Sequence, residues 1–254
     1  MSNKKVLIAL YGNLNLNHQF KLNDKVLLRR ISLINNEQNL FKFNWQSRST
    51  CPYNWVIELD YSYHEDNQSE PYPASLINNL YIDYGLRVYY KNAIGIAAIV
   101  IDLSNPDIYR ISNNENSHKS EPFTTDISFE FFWKRYKLAY NKKPATYEYF
   151  VRALEYPNSI KSILFCASLE SLFVPEGERN KKRDFVLQGL TMVGLNDSDQ
   201  EIIGELFTFR NVYIHADKKG QSMLYSSSKF LSPWWKKCEH IIRKILFKHI
   251  ELPW

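Results

Sequence analysis

The spacing of apolar and polar positions changes character about halfway along the chain. Over residues 54–64, Trp55, Ile57, Leu59, Tyr61 and Tyr63 fall on one side, with Glu58, Asp60, Ser62 and His64 on the other. A period of two predicts a β-strand. Shorter strands are expected at 7–10 and 26–31. The run 93–103 is rich in Ile and Val and bounded by Asn92 and by Ser104-Asn105-Pro106, which predicts a buried strand. Leu76, Ile77, Leu80 and Tyr84 recur at helical spacing and predict a helix over 74–84. The stretch 111–125 has no apolar residue between Ile111 and Phe123 and reads as a linker or long loop.

Beyond it the period is helical. Ile127, Phe131, Tyr136 and Leu138 belong to an aromatic helix that ends near 141–144. A second helix is predicted over 146–155 and stopped by Tyr156-Pro157. A third covers 158–173, with Ile160, Ile163, Leu164, Ala167 and Leu172 as its apolar stripe. A fourth covers 181–193 and ends at Gly194. Asp197 then offers an N-cap and an acidic first turn for a fifth, which carries Ile202, Ile203, Leu206, Phe207 and Phe209. A last helix over 234–250 turns Trp235, Cys238, Ile241, Ile242, Ile245 and Leu246 inward. The expected fold class is α+β. A β-rich domain over 1–120 precedes an α-helical domain over 121–254.

Composition narrows the picture. The 254 residues include 38 aromatic ones (17 Tyr, 15 Phe, 6 Trp), too many for a disordered chain. The net charge of +5 is uneven: residues 1–120 carry 12 Lys+Arg against 11 Asp+Glu, and 121–254 carry 20 against 16. An anionic partner would therefore favour the second half. Cys51, Cys166 and Cys238 are far apart and form no C-x-x-C pair, which excludes a zinc ribbon and suits a reducing cytoplasm. The histidines show no metal-ligand spacing, so neither a metal nor a cofactor is expected. Lys4 and Lys5 precede a short apolar run that is expected to be an internal strand rather than a leader. No stretch approaches the ~20 apolar residues of a membrane span, and a cytoplasmic protein with no membrane partner is expected.

One segment concentrates polar chemistry at the end of an apolar helix: Arg210, Asn211, Tyr213 and His215. Burying part of a guanidinium and an imidazole there is costly unless both find partners. Asn211 and His215 are one helical turn apart, and Arg210 is about 140° round from His215. Such a set can meet one phosphodiester, with His moving a proton, Arg neutralising charge and Asn orienting. The same residues also suit a plain C-terminal cap, with basic groups at the negative end of the dipole. Tyr213 can either touch a substrate or pack. Arg179, Lys181, Lys182 and Arg183 precede a helix, and Lys218 and Lys219 follow the segment; together they could track an RNA backbone or simply form a solvated face. Trp234 and Trp235 offer either a stacking surface or core packing.

Arg210-x4-His215, with Asn after the Arg, resembles the R-x4–6-H signature of HEPN domains. Ala167-Ser-Leu-Glu-Ser-Leu-Phe173 followed by Pro175-Glu-Gly is similar to a helix end in the ApeA-like HEPN subgroup. Residues 183–194 and Glu239-His-Ile-Ile-Arg243-Lys-Ile-Leu resemble that subgroup's next and closing helices, and 20–32 resembles its β-rich N-terminal region. The helical resemblance spans roughly 127–250. Members usually carry Gly directly after the His; here Ala216 stands there, with Gly220 four residues on.

The resemblance implies a helical bundle that forms a homodimer and a metal-independent endoribonuclease acting on tRNA or other single-stranded RNA. Such enzymes serve as toxins or in abortive-infection defence against phage. His215 would be the general acid or base, Arg210 would hold the phosphorane charge, Asn211 would orient, and Glu170 would buttress Arg210 or His215. The N-terminal domain would sense a phage-derived or protein trigger. The alternative is a non-catalytic HEPN sensor, adaptor or nucleotide-binding dimerisation module.

Overall fold

The structure, a computed structural model, describes residues 4–14, 16, 18–24, 26–32, 37–41, 53–61, 80–91, 95–101, 107–110, 119–124, 126–215, 218, 222 and 231–251. The chain divides into two compact units, Met1–Trp133 and Lys134–Trp254.

The first unit is built on a six-stranded sheet in the order β3-β4-β5-β1-β6-β7, every pairing antiparallel. Its strands are β1 (Lys4–Tyr11), β3 (Phe20–Asn23), β4 (Val26–Arg30), β5 (Trp55–Tyr61), β6 (Gly95–Ile101) and β7 (Asp107–Arg110). β1 lies between β5 and β6, and all of Val6, Leu7, Ile8, Ala9 and Leu10 are buried. An unbroken apolar run is what a strand covered on both faces requires. The alternation expected over 54–64 is seen at Trp55, Ile57 and Leu59, but Val56 is buried too. It joins Leu7, Ala9, Tyr11, Ile31, Phe41 and Tyr53 in a cluster on the opposite side. The tail of that segment, 62–64, lies outside the described residues.

Lys5, Arg29, Glu37 and Glu58 of this unit form one ion-paired network. Glu58 accepts from Lys5 Nζ at 2.5 Å and from Arg29 Nε at 2.6 Å. Arg29 also forks onto Glu37 at 2.7 and 2.8 Å. Glu37 begins the one-turn helix α1 (Glu37–Leu40) and accepts the Ser32 N–H as well, so its buried carboxylate is satisfied.

Helix α2 spans Leu80–Tyr89 and runs further than the expected 74–84 at its C-terminal end, because Leu86, Val88 and Tyr89 are all buried. Residues 74–79 lie outside the described residues. The stretch expected to be a loop contains a short strand, β8 (Lys119–Ser120), parallel to β2 (Asn13–Leu14). Backbone hydrogen bonds make that pairing, and they need no apolar side chains, so periodicity gave no sign of it. Phe123 N–H to Tyr89 O and Lys91 N–H to Glu121 O tie the same stretch to the end of α2.

Helix α3 (Phe129–Lys142) contains the division between the units. Its first turns carry Phe129, Phe132 and Trp133; Phe129 meets Phe20 and Tyr89 edge to face, Phe132 meets Tyr89 at a tilt, and the Trp133 indole donates to Leu22 O at 3.0 Å. Phe131 and Leu138, read as part of the apolar face, are about half exposed, at 50% and 48%.

The second unit continues with α4 (Pro144–Glu155), α5 (Asn158–Phe173), α6 (Lys182–Met192), α7 (Asp197–His215) and α8 (Ser232–Glu251). Pro144 opens α4 rather than closing α3, the position where its missing N–H costs nothing. α5 packs against α4, α6, α7 and α8 and is the hub of this unit. The stripe expected on it is corrected. Ser162, Phe165, Cys166, Ser168, Leu169 and Leu172 are buried, while Ile160 is exposed and Ile163, Leu164 and Ala167 are half-buried. Ser162 and Ser168 look polar in sequence, yet their small side chains suit buried positions. Ser168 Oγ donates to Thr146 O on α4 at 2.7 Å, which satisfies the buried hydroxyl. The N-cap of α7 is likewise one residue earlier than expected: Asn196 Oδ1 accepts the Asp199 N–H at 2.8 Å. Gly194 closes α6 at φ +68°, where a side chain would be strained. Both Trp234 and Trp235 are buried and meet edge to face at 4.7 Å. Among the described residues no helix is long and apolar enough to cross a membrane.

Two contacts in this unit set its stability. A Cβ on Gly189 would lie 2.2 Å from the Phe173 ring. Gly189→Ala should therefore lose about 1–3 kcal/mol through overpacking, although helix propensity alone would add about 1 kcal/mol. Adding Phe173→Leu should recover most of the loss, as read by urea unfolding.

The second contact is buried: His249 Nδ1 lies 2.9 Å from the Tyr147 hydroxyl, whose ionisation burial opposes. Burial, with a smaller push from Lys143, lowers the His249 pKa from 6.5 to about 4. The folded chain thus resists a proton that the unfolded chain accepts. This contribution, on the order of 3 kcal/mol, is complete above about pH 6.5, falls as the pH drops and is gone below about 4. His249→Gln should flatten the urea midpoint against pH across that window.

Candidate active site

Helix α7 carries the motif. Ile202, Ile203, Leu206, Phe207 and Phe209 bury its apolar side as expected, and Arg210 follows at the edge of that side, 21% exposed. Burial on this scale demands partners for a guanidinium, and each of its three nitrogens donates a hydrogen bond. Its NH1 donates to Glu170 Oε1 on α5. Its Nε and NH2 both donate to Asn211 Oδ1, at 3.2 and 3.0 Å. Its Cζ lies 5.1 Å from the centre of the Phe207 ring, one turn earlier on the same helix. The contact gives the cation an aromatic face in place of water.

Glu170 is held at 14% exposure near the end of α5, one turn after Cys166. Burial raises the Cys166 pKa; Arg210 lowers it and Glu170 raises it, each by less. The thiol is thus kept protonated, and a protonated, buried thiol is not a nucleophile. The second oxygen of Glu170 faces Lys182 Nζ at 3.4 Å. Lys182 is the first residue of α6, so three helices meet at one carboxylate.

The structure thus brings together Arg210, Asn211, Glu170 and Lys182. His215 is elsewhere: it is the last residue of α7 and is exposed. Five residues of helix separate the two groups by about 7.5 Å along the axis and about 140° around it. Arg210 is moreover drawn toward α5. Tyr213 is half-buried. Ala216, Lys219 and Gly220 lie outside the described residues.

The basic run before α6 is not one continuous stripe. Arg179 and Lys181 are exposed, Lys182 turns to Glu170, and Arg183 reaches across α7. An Arg183 NH2 nitrogen lies 3.4 Å from where a Gly204 Cβ would be, which places its guanidinium against the backbone of α7. The groove it enters, about 570 Å³, is also lined by Leu187, Asp197, Glu201, Glu205 and Thr208, which set carboxylates beside the cation. Lys218 is exposed. Trp234 is excluded as an open stacking surface by burial, and its indole donates to Glu205 Oε2 at 3.2 Å.

Sequence reading did not find Lys182 as a partner of Glu170 or Phe207 as the ring beneath Arg210. The Phe207–Arg210 contact was available as an i,i+3 pair. The Lys182 contact joins two helices across a turn, and no local spacing signals it.

No protein-family model, curated protein or solved structure matches this chain.

Proposed function

We propose that the chain is a metal-independent endoribonuclease of the HEPN type, cleaving tRNA or other single-stranded RNA as a toxin or abortive-infection effector. The observation that carries this reading is the clamp on Arg210. A helix-end guanidinium is fixed by a carboxylate on a neighbouring helix and by the adjacent amide, with one cationic neighbour to spare. A surface cap would not need three partners. A preorganised cation is what stabilises a developing phosphorane.

In this reading His215 takes the proton from a ribose 2′-OH, and O2′ attacks the adjacent phosphorus. The bond to the 5′-oxygen breaks, and that oxygen takes up a proton. The products are a 2′,3′-cyclic phosphate and a 5′-OH. Arg210 neutralises the extra charge through the Nε/NH2 edge that Asn211 now occupies, and Asn211 holds that edge in place until the phosphate replaces it. Because His215 and Arg210 diverge within one chain, a composite site between two copies suits the chemistry better than a site within one. The N-terminal unit would hold the nuclease in check until a phage-derived or protein trigger binds, in the cytoplasm.

The same divergence also favours the second reading, a non-catalytic sensor, adaptor or nucleotide-binding dimerisation module. Cleavage assays separate the two. Wild type should release RNA fragments with cyclic phosphate ends in EDTA. Arg210→Ala and His215→Ala should each slow cleavage by about 10²–10⁴-fold, and light scattering should give a dimer. Equal rates for all three proteins, or loss of cleavage in EDTA, would overturn the nuclease reading.

A further inference from the structure

We infer that Lys182 is the second phosphate-binding cation of the Arg210 site, and that Glu170 is the counter-ion with which an incoming phosphodiester competes for it. The biological role of this seat rests on the ribonuclease reading; its geometry does not. Glu170 divides its oxygens, Oε1 to Arg210 and Oε2 to Lys182. Two cations therefore share one carboxylate, and the cluster keeps a net single positive charge. One phosphodiester neutralises it.

The two arms differ. Arg210 is 21% exposed, rests on Phe207 and donates from all three of its nitrogens. Lys182 is 43% exposed and reaches Glu170 through one contact of 3.4 Å. Lys182 is therefore the arm that releases. An ammonium on a four-carbon stem can swing to a phosphate oxygen while its backbone stays in place.

The backbone before it is unusual. Lys181 sits at φ +55°, the one positive φ outside glycine among the described residues. That conformation is costly for a side-chain-bearing residue. It turns the chain sharply into α6, so that Lys182 meets Glu170 on α5 while the next residue, Arg183, reaches Gly204 on α7.

The test is binding of a 2′-O-methyl RNA oligonucleotide, which has no free 2′-OH to react, by fluorescence anisotropy across a salt series. Lys182→Gln should weaken binding about tenfold at low salt and reduce the slope of log affinity against log salt by about 0.7, one single-strand phosphate contact. Lys182→Arg should restore both. Lys236→Ala removes an equal charge from an exposed position on α8 and should change neither. Glu170→Gln should tighten binding several-fold, because it removes the competitor; a merely structural Glu170 would weaken it. Lys182→Gln binding like wild type, or Glu170→Gln binding more weakly, overturns the inference. If the oligonucleotide binds in a Lys182-dependent way but unmodified RNA is not cleaved, the seat stands and the nuclease reading fails. If RNA is cleaved equally by wild type and Lys182→Gln, the nuclease reading stands and the seat fails.

Discussion

The contact between Arg210 and Glu170 decides what the helical unit can do. It joins α7 to α5 across 40 residues of sequence, and both groups are largely withdrawn from water. A charge in that position is stable only while its partner is present, because removing one member leaves the other desolvated and uncompensated. The pair therefore fixes more than an orientation. It ties the register of the motif helix to α5, which packs against α4, α6, α7 and α8. Phe207 below and Asn211 beside it close the remaining directions, so the guanidinium has one geometry before any substrate arrives.

The proposed chemistry rests on what is fixed and what is left free. Arg210 is fixed, whereas His215 is exposed at the helix terminus. A proton-transfer group at a helix end can reach a substrate seated by another copy, whereas a clamped guanidinium holds charge where it already is. This division of labour suits a site assembled from two chains. It is also compatible with a binding module in which only the clamped half matters.

Much of the fold was legible because hydrophobic periodicity is strong in long elements. Helix α5 was bounded correctly, and every residue expected to face inward on α7 and α8 is buried, although α8 also buries Trp234, Arg243, Phe247, His249 and Ile250. The failures have physical reasons. The core face of α5 was misread because Ser162 and Ser168 are buried, bonding the Ser159 carbonyl on the same helix and the Thr146 carbonyl on α4, and both look polar in sequence. β7 and β8 are four and two residues long, too short for a period to show. At the site, Glu170 was readable through its place in the Leu-Glu-Ser-Leu-Phe element, and the structure places it on Arg210. Lys182 was readable only as one basic residue in a run, since its partner lies on another helix.

The arrangement of the sheet also bears on how the chain acquires it. The central strand comes first in sequence, and Ile8 pairs with Ile57 on one side and Ile99 on the other. During synthesis the Val-Leu-Ile-Ala-Leu run therefore precedes both neighbours, and a nascent chain must extend well past residue 100 before the strand is enclosed. Pairings this distant close slowly, since loop entropy is lost before contacts compensate. A naked apolar strand is also the kind of segment that self-associates. The helical unit closes distant contacts of its own, such as Tyr147 with His249, but through helices whose own hydrogen bonds are local. Chaperone demand on the ribosome should accordingly be set by the first hundred residues of this chain, not by the half that carries the motif.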